Sequence, residues 1–338
     1  MLYITTRDNK DTFTAHRALT EAVAPDGGVF VPFRLPRYTP DEITALKGKS
    51  FGTIVAEILN AFFSSRLNGW DVDFCIGRNA CKLVSVHHKI MVAELWHNPD
   101  GRYDYIENSL YKTIAGADNG NPNNTGWFRI AVRIAVLFAL YGEMLNHGAL
   151  AENETFDVSV FGEDLSKPAA VWYARRMGLP IGKIISAFNE NSLAWELLQR
   201  GVFHTATAEQ EMLLEAEHLI HGILSYDDVQ TYCMKCQAGQ TYTLKEIKQQ
   251  ALSEDFFCPV VGNTRSVSII SSVYKSCSYL MDPPTSLCYG ALQDYRANTG
   301  SRRVTLLFAE QTPMDFAKQI ATATGISDKN LINYVNLF

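Results

Sequence analysis

The chain has 338 residues, of which 47% are hydrophobic and 20% are charged, with a formal net charge of −6 at pH 7. This composition is typical of a soluble globular protein with one large or two ordinary domains, and the negative charge argues against nucleic acid as a partner. No apolar run approaches the roughly 18 residues of a membrane span, no signal peptide is apparent, and an odd number of cysteines suits a reducing cytoplasm, so we expect a cytoplasmic protein without membrane contact.

The first part of the sequence predicts short strands and helices in alternation. Residues 3–7 predict an opening strand, and the apolar spacing over residues 12–23 predicts a helix. Thr39 and Pro40 predict the start of a short helix, because threonine is a good cap and proline suits the first helical position. Residues 51–67 then carry the apolar stripe of a strong amphipathic helix.

Residues 156–188 carry the clearest pattern in the chain. Residues 156–161 predict a buried strand, a helix runs from Pro168 to Gly178, and residues 183–188 predict a second buried strand. This succession predicts a right-handed crossover between parallel strands. Ligands of such sheets bind beyond the carboxyl ends of the strands, so residues 162–167 form the loop where we expect a ligand.

Further elements lie on both sides of this unit. Residues 82–95 alternate between strand and turn character, and residues 130–145 predict a long buried helix. Asn191 or Ser192 caps the helix that follows the second buried strand. Residues 208–224 predict an amphipathic helix with a solvated polar face.

Short motifs recur in a definite order along the chain and resemble a known family. The motifs are, in chain order, Ala24-Pro-Asp-Gly-Gly-Val-Phe-Val-Pro32, Glu94-Leu-Trp-His-Asn-Pro99, Asn123-Asn-Thr-Gly-Trp-Phe-Arg129, Met177-Gly-Leu-Pro-Ile181, Ala187-Phe-Asn-Glu-Asn191, Arg200-Gly-Val-Phe203, Tyr279-Leu-Met-Asp-Pro-Pro-Thr285 and Thr312-Pro-Met-Asp-Phe316. In this order they resemble the threonine synthase family. The resemblance covers residues 1–112, 123–203 and 265–325.

The resemblance implies a fold and a division of the chain. Threonine synthases are pyridoxal phosphate enzymes of the tryptophan-synthase-β-like fold (fold type II), so we expect an α/β protein with a mostly parallel sheet. Residues 1–92 would form the threonine synthase-type N-terminal domain, and residues 93–338 a truncated large domain. The small domain that closes over the cofactor is expected to be largely deleted near residues 113–123, since about one small domain of chain is missing there.

The resemblance also places the residue that would hold the cofactor. In the family a lysine forms the Schiff base seven residues after the histidine that matches His97, and that position here is Asp104. Only an amine can form the imine that makes pyridoxal an electron sink. Lys112 lies eight residues further on, about 12 Å along a helix. We therefore predict no catalytic residue at this position.

The family's phosphate-binding loop corresponds here to Glu163, Asp164, Leu165, Ser166 and Lys167. Phosphate cradles need small residues and free N–H groups in a positive field. Two carboxylates beside a dianion oppose binding, and one lysine offsets only one of them. We therefore predict that this loop does not bind phosphate.

A candidate cleft is expected between the strand ends. The resemblance assigns to it Trp96, His97, Asn123, Arg129 and Asn189, with Asn123 and Arg129 interpreted mainly as residues of the fold.

A separate set of residues raises the alternative of a metal or thiol site. His218 and His221 lie on the amphipathic helix at residues 208–224, and Cys233 and Cys236 form a lone C-x-x-C in a turn-like region. A structural zinc needs four ligands, and a redox dithiol is expected at a helix start after a strand. We predict no metal here and keep these four residues as weak candidates.

Three functions follow from these observations. The first is a threonine synthase-like protein without catalytic activity or with a new role, which needs no cofactor and binds a small molecule or a protein. The second is a pyridoxal phosphate-dependent threonine synthase converting O-phosphohomoserine to threonine, with Lys112 or Lys167 as the amine. The third is a metal- or thiol-binding protein. Loss of the small domain would expose an apolar face, so we also expect a homo-oligomer.

Overall fold

The structure is a computed structural model that describes residues 1–21, 23–116, 126–327 and 330–332. The strands of the described residues are β1 Leu2–Thr5, β2 Phe13–Thr14, β3 Phe30–Pro32, β4 Lys82–His87, β5 Ile90–Glu94, β6 Phe156–Phe161, β7 Ile181–Ala187, β8 Val202–His204, β9 Thr241–Thr243, β10 Phe256–Phe257 and β11 Thr305–Ala309. Its α-helices are α1 Ala15–Thr20, α2 Pro40–Thr44, α3 Phe51–Phe63, α4 Gly69–Ile76, α5 Tyr103–Ala115, α6 Trp127–Asn146, α7 Ser166–Met177, α8 Leu193–Trp195, α9 Gln210–Ile223, α10 Tyr226–Gln237, α11 Glu246–Asp255, α12 Asn263–Cys277, α13 Pro283–Thr299 and α14 Ala317–Thr324.

Two short segments complete the described elements. A π-helical segment, Glu196–Arg200, continues α8 and ends at Gly201, and a 3₁₀ turn, Pro313–Phe316, precedes α14. Ser192 caps α8 by accepting the N–H of Trp195, as one of the two predicted caps.

A six-stranded sheet forms the centre of the molecule, with the strand order β10-β7-β6-β11-β5-β4. Every pair in it is parallel except the β4–β5 hairpin. The prediction of an α/β protein with a mostly parallel sheet is confirmed. Because parallel strands end at the same edge, the carboxyl ends of β5, β6, β7 and β11 lie side by side.

Helix α6 packs along this sheet and is buried over almost its whole length. Its sequence is apolar on nearly all sides, which is the pattern of a helix surrounded by protein. It packs mainly against α3 and α7. Gly142 allows the approach of α3, since a Cβ there would contact the end of Ile54 at 2.5 Å. Helix α6 therefore holds the N-terminal helices against the sheet.

The N-terminal residues form a three-stranded antiparallel sheet in the order β2-β1-β3. One continuous hydrophobic core runs from Tyr3 in this sheet to Leu306 in the central sheet. The predicted division into residues 1–92 and 93–338 falls inside β5, whose residues pair with β11 in the central sheet. The central sheet thus begins at Lys82, and the domain division stays a prediction.

Some predicted elements differ in length. Helix α1 is shorter than residues 12–23, because Phe13 and Thr14 pair with β1 and Thr14 then caps the helix. Helix α3 ends at Phe63 and not at residue 67, because Ser64 has a left-handed backbone with φ of 53°. No helix within the described ranges has the length and apolar character needed to cross a bilayer.

Candidate functional site

The candidate site lies where the carboxyl ends of the parallel strands meet. Glu94 ends β5, residues 162–165 follow β6, and Glu310 follows β11. Polar side chains thus converge at the edge of the sheet where α/β proteins bind their ligands. The loop between β6 and α7 lies at this edge, and it is shorter than the predicted residues 162–167 because α7 begins at Ser166, two residues before Pro168.

Helix α5 begins at this edge and brings a tyrosine into the site. Tyr103 is 2% exposed, and Arg133 of α6 lies 4.5 Å from the centre of its ring. The next residue, Asp104, is exposed. Lys112 is also exposed, near the other end of α5. The position that the resemblance assigned to the Schiff-base lysine therefore carries a solvent-exposed carboxylate.

The N–H groups at the start of α7 are already bonded to carboxylates and a carbonyl. Leu165 N donates to Glu215 Oε2 at 3.1 Å, and Ser166 N donates to Asp164 Oδ1 at 3.0 Å. Lys167 N donates to the carbonyl of Asp164 at 3.1 Å, and the Ser166 hydroxyl also donates to the Asp164 carboxylate. These are the groups that a helix start offers to an anion. Here two carboxyl side chains and one main-chain carbonyl of the protein itself occupy them.

A cluster of buried and half-buried charges surrounds this helix start, and we call it the charge cluster. Its members are Glu107, Arg129, Arg133, Asp164, Lys167 and Glu310. Arg133 Nη1 and Lys167 Nζ each lie 2.7 Å from a different oxygen of Glu310. Arg133 Nη2 lies 3.4 Å from Asp164 Oδ2. Charges removed from water must be paired in this way to be tolerated.

Arg129 extends the charge cluster towards α9. Its Nη1 donates to Glu211 Oε1 at 2.9 Å and lies 3.6 Å from Glu215 Oε1. Its Nε donates to Glu107 Oε2 at 3.4 Å. Arg129 is therefore a link between α5, α6 and α9, which agrees with its interpretation as a residue of the fold.

Burial and neighbouring charges shift the pKa values in this region. Burial, with the charge of Asp164, raises the pKa of Glu215 to about 9, so its carboxyl is protonated at neutral pH. Burial also raises the pKa of Glu107. For Asp164 and Glu310 burial acts in the same direction, but Arg133 and Lys167 outweigh it and hold both pKa values below the usual range. The site thus contains both ionised and neutral carboxyl groups.

Beside the charge cluster lies a cavity of about 390 Å³. Its wall has four carboxyl groups and one amine, and we call it the acidic cavity: Glu163, Asp164, Asp282, Glu310 and Lys167. A smaller cavity of about 20 Å³, the size of one water, shares Lys167 and Glu310 with it and reaches Tyr103. The hydroxyl of Tyr103 is buried without a hydrogen-bond partner in the described residues.

Glu163 differs from the other carboxylates of the acidic cavity. It accepts the N–H of Asn189 at 2.9 Å and the hydroxyl of Ser192 at 2.6 Å. No Lys, Arg or His in the described ranges forms an ion pair with it. Asp282 caps α13, and burial raises its pKa to about 6. The acidic cavity therefore keeps an unneutralised carboxylate.

The remaining candidates of the cleft are only partly brought together. Trp96 and His97 stack with ring centres 3.9 Å apart, and His97 Nε2 lies 2.7 Å from Glu94 Oε2. They line a separate, open cavity of about 650 Å³ with Thr312. Asn189 contacts the loop through its backbone. Asn123 lies outside the described residues.

The secondary structure and the burial of the metal and thiol candidates differ from those predicted from the sequence. Cys233 and Cys236 lie within α10, where a turn was predicted. The predicted solvated face of α9 is wrong, because Glu215, Glu217 and His218 are buried there. His218 packs 6.2 Å from the ring of Trp127, and burial lowers the pKa of His221 to about 4. The described residues contain no group of three possible metal ligands.

Sequence reasoning missed four residues of this region: Glu107, Arg133, Glu215 and Glu310. Arg133 had a visible signal, since it is the one charge within the apolar run from Ile130 to Gly142 and follows Arg129 by one helical turn. Glu310 directly follows a strand that was recognised. Glu107 and Glu215 reach the site only because α5 and α9 pack on it.

Comparison with known proteins adds family information to this geometry. The family model "Threonine synthase N terminus" matches residues 2–79. Threonine synthase-like 1 of Pongo abelii is 21% identical over 243 residues, covering 66% of this chain and 30% of that protein. The match thus spans about a third of the length of that relative. Threonine synthase of Schizosaccharomyces pombe is 19% identical over 424 residues, covering 84% of this chain and 82% of that protein.

The fold is also found among solved structures. The crystal structure of PLP-bound threonine synthase from Brucella melitensis superimposes with a TM-score of 0.76 at 19% identity. The match covers 96% of this chain and 92% of that one. This likeness establishes the overall fold at a low level of sequence identity.

Proposed function

The chain is a member of the threonine synthase family, and from this premise we propose that it works without pyridoxal phosphate and binds a small amine in the acidic cavity. The observation that carries the first part is the use of the N–H groups at the start of α7. Glu215 and Asp164 take the bonds that a cofactor phosphate would need.

The residues of the site do not fit pyridoxal phosphate. The position expected for the Schiff-base lysine carries Asp104, which is exposed and has no amine. A phosphate at the loop would meet the carboxylates of Glu163 and Asp164, and like charges in a poorly solvated site repel strongly. It would also have to break the bond from Leu165 N to Glu215. We therefore derive no reaction step through this cofactor.

The length of one alignment supports the proposed loss of the small domain. The alignment with the Schizosaccharomyces pombe enzyme extends over 424 residues, although this chain has 338. Part of that enzyme thus has no counterpart here. The deletion is predicted near residues 113–123, and residues 117–123 of this range lie outside the described residues. The homo-oligomer also stays a prediction, and a strictly monomeric solution mass would contradict it.

Charge determines the proposed ligand class. The ion pairs of Glu310 and Asp164 are internal, whereas Glu163 receives only neutral donors. A bound ammonium group would supply the missing counter-charge and form a charge-assisted hydrogen bond. A volume of about 390 Å³ is within the range of small-molecule sites. An amine therefore suits the acidic cavity better than an anionic phosphoester.

Binding of an amine is tested by calorimetry with putrescine and, as a neutral analogue, butanediol. We expect putrescine to bind and butanediol not to bind. Glu163→Gln should weaken the binding of putrescine at least about tenfold, since it removes a charged hydrogen-bond partner. Glu190→Gln is the matched control, because Glu190 is an exposed glutamate of the neighbouring loop. Equal affinity in both variants would contradict the amine site.

A second candidate is a pyridoxal phosphate-dependent threonine synthase. The observation in its favour is Lys167, whose amine lines the acidic cavity. Its pairing with Glu310 raises the lysine's pKa against the effect of burial, which keeps the amine protonated and poorly nucleophilic. The distance between Lys167 Nζ and Glu310 Oε2 is 2.7 Å.

Incubation with pyridoxal phosphate, followed by borohydride and peptide mass analysis, separates the two candidates. We expect no reduced adduct on Lys167. An adduct that disappears in Lys167→Gln and persists in Lys112→Gln would contradict the cofactor-free proposal and favour the second candidate. Lys112 is the matched control because it is exposed on α5.

A further inference from the structure

Helix α7 carries charged residues at both ends. Its first turn places Lys167 in the acidic cavity. Its twelve residues span about 18 Å, so its last turn lies at the other edge of the sheet. There another cavity of about 360 Å³, which we call the arginine cavity, is lined by Arg37, Trp172, Arg175, Arg176 and Asp255.

Arg175 is held firmly in the arginine cavity. Its Nη2 lies 2.5 Å from Asp255 Oδ1, and its Nη1 donates to the carbonyl of Gly182 at 3.1 Å. Trp172 Nε1 donates to the other oxygen of Asp255 at 2.8 Å. Both oxygens of the carboxylate are therefore engaged. Asp255 neutralises one guanidinium, and neither Arg37 nor Arg176 forms an ion pair with it.

Arg37 and Arg176 have no such partner. Within the described residues neither one forms a hydrogen bond or an ion pair. Arg176 lies over the ring of Trp172, with its guanidinium carbon 5.6 Å from the ring centre. The arginine cavity thus carries two positive charges that no carboxylate balances.

The usual role of a cation at the end of a helix explains only part of this arrangement. Arg175 and Arg176 lie in the last turn of α7, where positive charge interacts favourably with the helix dipole. Arg37 comes from a different segment, the loop before α2. That loop is fixed there, because Tyr38 N donates to the carbonyl of Met177 at 2.7 Å. A third guanidinium is thus brought to the same place without a carboxylate.

We propose that the arginine cavity binds a phosphate-bearing small molecule. A phosphate monoester carries about −1.5 to −2 charges at pH 7, which matches the two unbalanced arginines. Guanidinium groups bind phosphate oxygens in a bidentate manner. The volume of about 360 Å³ accommodates a small ligand. This site is independent of the acidic cavity and of the function proposed for it.

The probe for this site is inorganic phosphate, titrated into the full chain by calorimetry, with acetate as the singly charged comparison. We expect phosphate to bind at least about tenfold more tightly than acetate. Arg37→Gln and Arg176→Gln should each weaken phosphate binding about tenfold, because each removes a charged hydrogen-bond donor. The double variant should lose measurable binding.

Arg200→Gln is the matched control. Arg200 is exposed at a helix end, and its guanidinium lies over the ring of Trp195 as that of Arg176 lies over the ring of Trp172, but it pairs with Glu196 and lies outside the cavity. Its substitution should leave phosphate binding unchanged. Both cavity arginines are exposed and unpaired, so their variants should unfold at the wild-type temperature. Absence of binding at millimolar phosphate, or equal affinity in the double variant and wild type, would overturn the proposal.

Discussion

The N–H of Leu165 donates to Oε2 of Glu215 at 3.1 Å, so a side chain from α9 closes the loop that precedes α7. The two residues are 50 positions apart in the sequence. Burial, with the charge of Asp164, raises the pKa of Glu215 to about 9. A neutral carboxyl group thus binds where the family resemblance placed a phosphate.

Glu215 should make stability depend on pH. Between its unfolded pKa near 4.3 and its folded pKa of about 9, the folded state holds one proton more than the unfolded state. The free energy of unfolding therefore falls by up to about 1.4 kcal/mol per pH unit as the pH rises through this range. Glu215→Gln removes the titrating group and should flatten the profile between pH 7 and 9, above the range in which the titration of His221 acts in the opposite direction, as measured by urea unfolding.

Glu211→Gln is the control for this experiment. It makes the same substitution in the same helix, but at an exposed residue that pairs with Arg129. Its profile should keep the wild-type slope. A Glu215→Gln profile as steep as that of the control would show that Glu215 is ionised in the folded state.

Arg133→Met should destabilise the fold by about 3 kcal/mol or more, because it leaves Glu310 and Asp164 with fewer counter-charges in a buried site. Urea unfolding measures the loss. Arg34→Met serves as the comparison, since Arg34 is exposed and lies over the ring of Phe33. A similar small change in both variants would mean that the charge cluster contributes little to stability.

Gly162→Ala tests the packing of the site loop against the following strand. A methyl group at this position would overlap the ring of Phe188, and overpacking costs about 1–3 kcal/mol. In Gly262→Ala the new methyl group would meet only the flexible end of Glu190 at 3.1 Å. We expect Gly162→Ala to lower the thermal unfolding temperature clearly more than Gly262→Ala. A larger decrease in Gly262→Ala would contradict the close packing of Gly162 against the ring of Phe188.

Arg7→Met should loosen the N-terminal sheet. Arg7 Nη2 lies 2.8 Å from Oε2 of Glu217, which is 1% exposed and also accepts the hydroxyl of Thr6. Leaving this carboxylate without its partner should cost about 2 kcal/mol, a reduced figure because Arg7 is partly exposed. Hydrogen exchange should become faster in β1 and β3. Arg17→Met, which breaks an exposed pair with Glu21, should leave that exchange unchanged.

His221 should make the protein sensitive to acid. Burial lowers its pKa to about 4, so the folded state resists a proton that the unfolded state accepts below about pH 6.5. Stability is therefore complete above that value and is lost as the pH falls towards 4. His221→Phe should lose less stability than wild type between pH 7 and 5, measured by thermal unfolding. If His221→Phe loses as much stability as the wild type between pH 7 and 5, a group other than His221 causes the acid sensitivity.

The elements that could be predicted were those with a strong local signal. Residues 156–188 alternate between buried strand and helix, which is the pattern of a strand–helix–strand unit with parallel strands, and β6, α7 and β7 formed there, with α7 beginning two residues before the predicted Pro168. The error at Cys233 and Cys236 has the opposite cause. Polar residues surround the two cysteines, and only the packing of Val229 and Tyr232 against α9 and β9 identifies the segment as a helix.

The sequence by itself determined the parallel sheet and the edge of that sheet where a ligand is expected, and the family resemblance added the expectation that Asp104 stands at the position of the Schiff-base lysine. These follow from hydrophobic periodicity and residue identity, which are local properties. Only the tertiary structure decided that Glu215 and Asp164 occupy the N–H groups at the start of α7 and that Arg37 joins Arg176. Such contacts join residues far apart in the chain, and they form only when the packing of whole helices removes water from the charges between them.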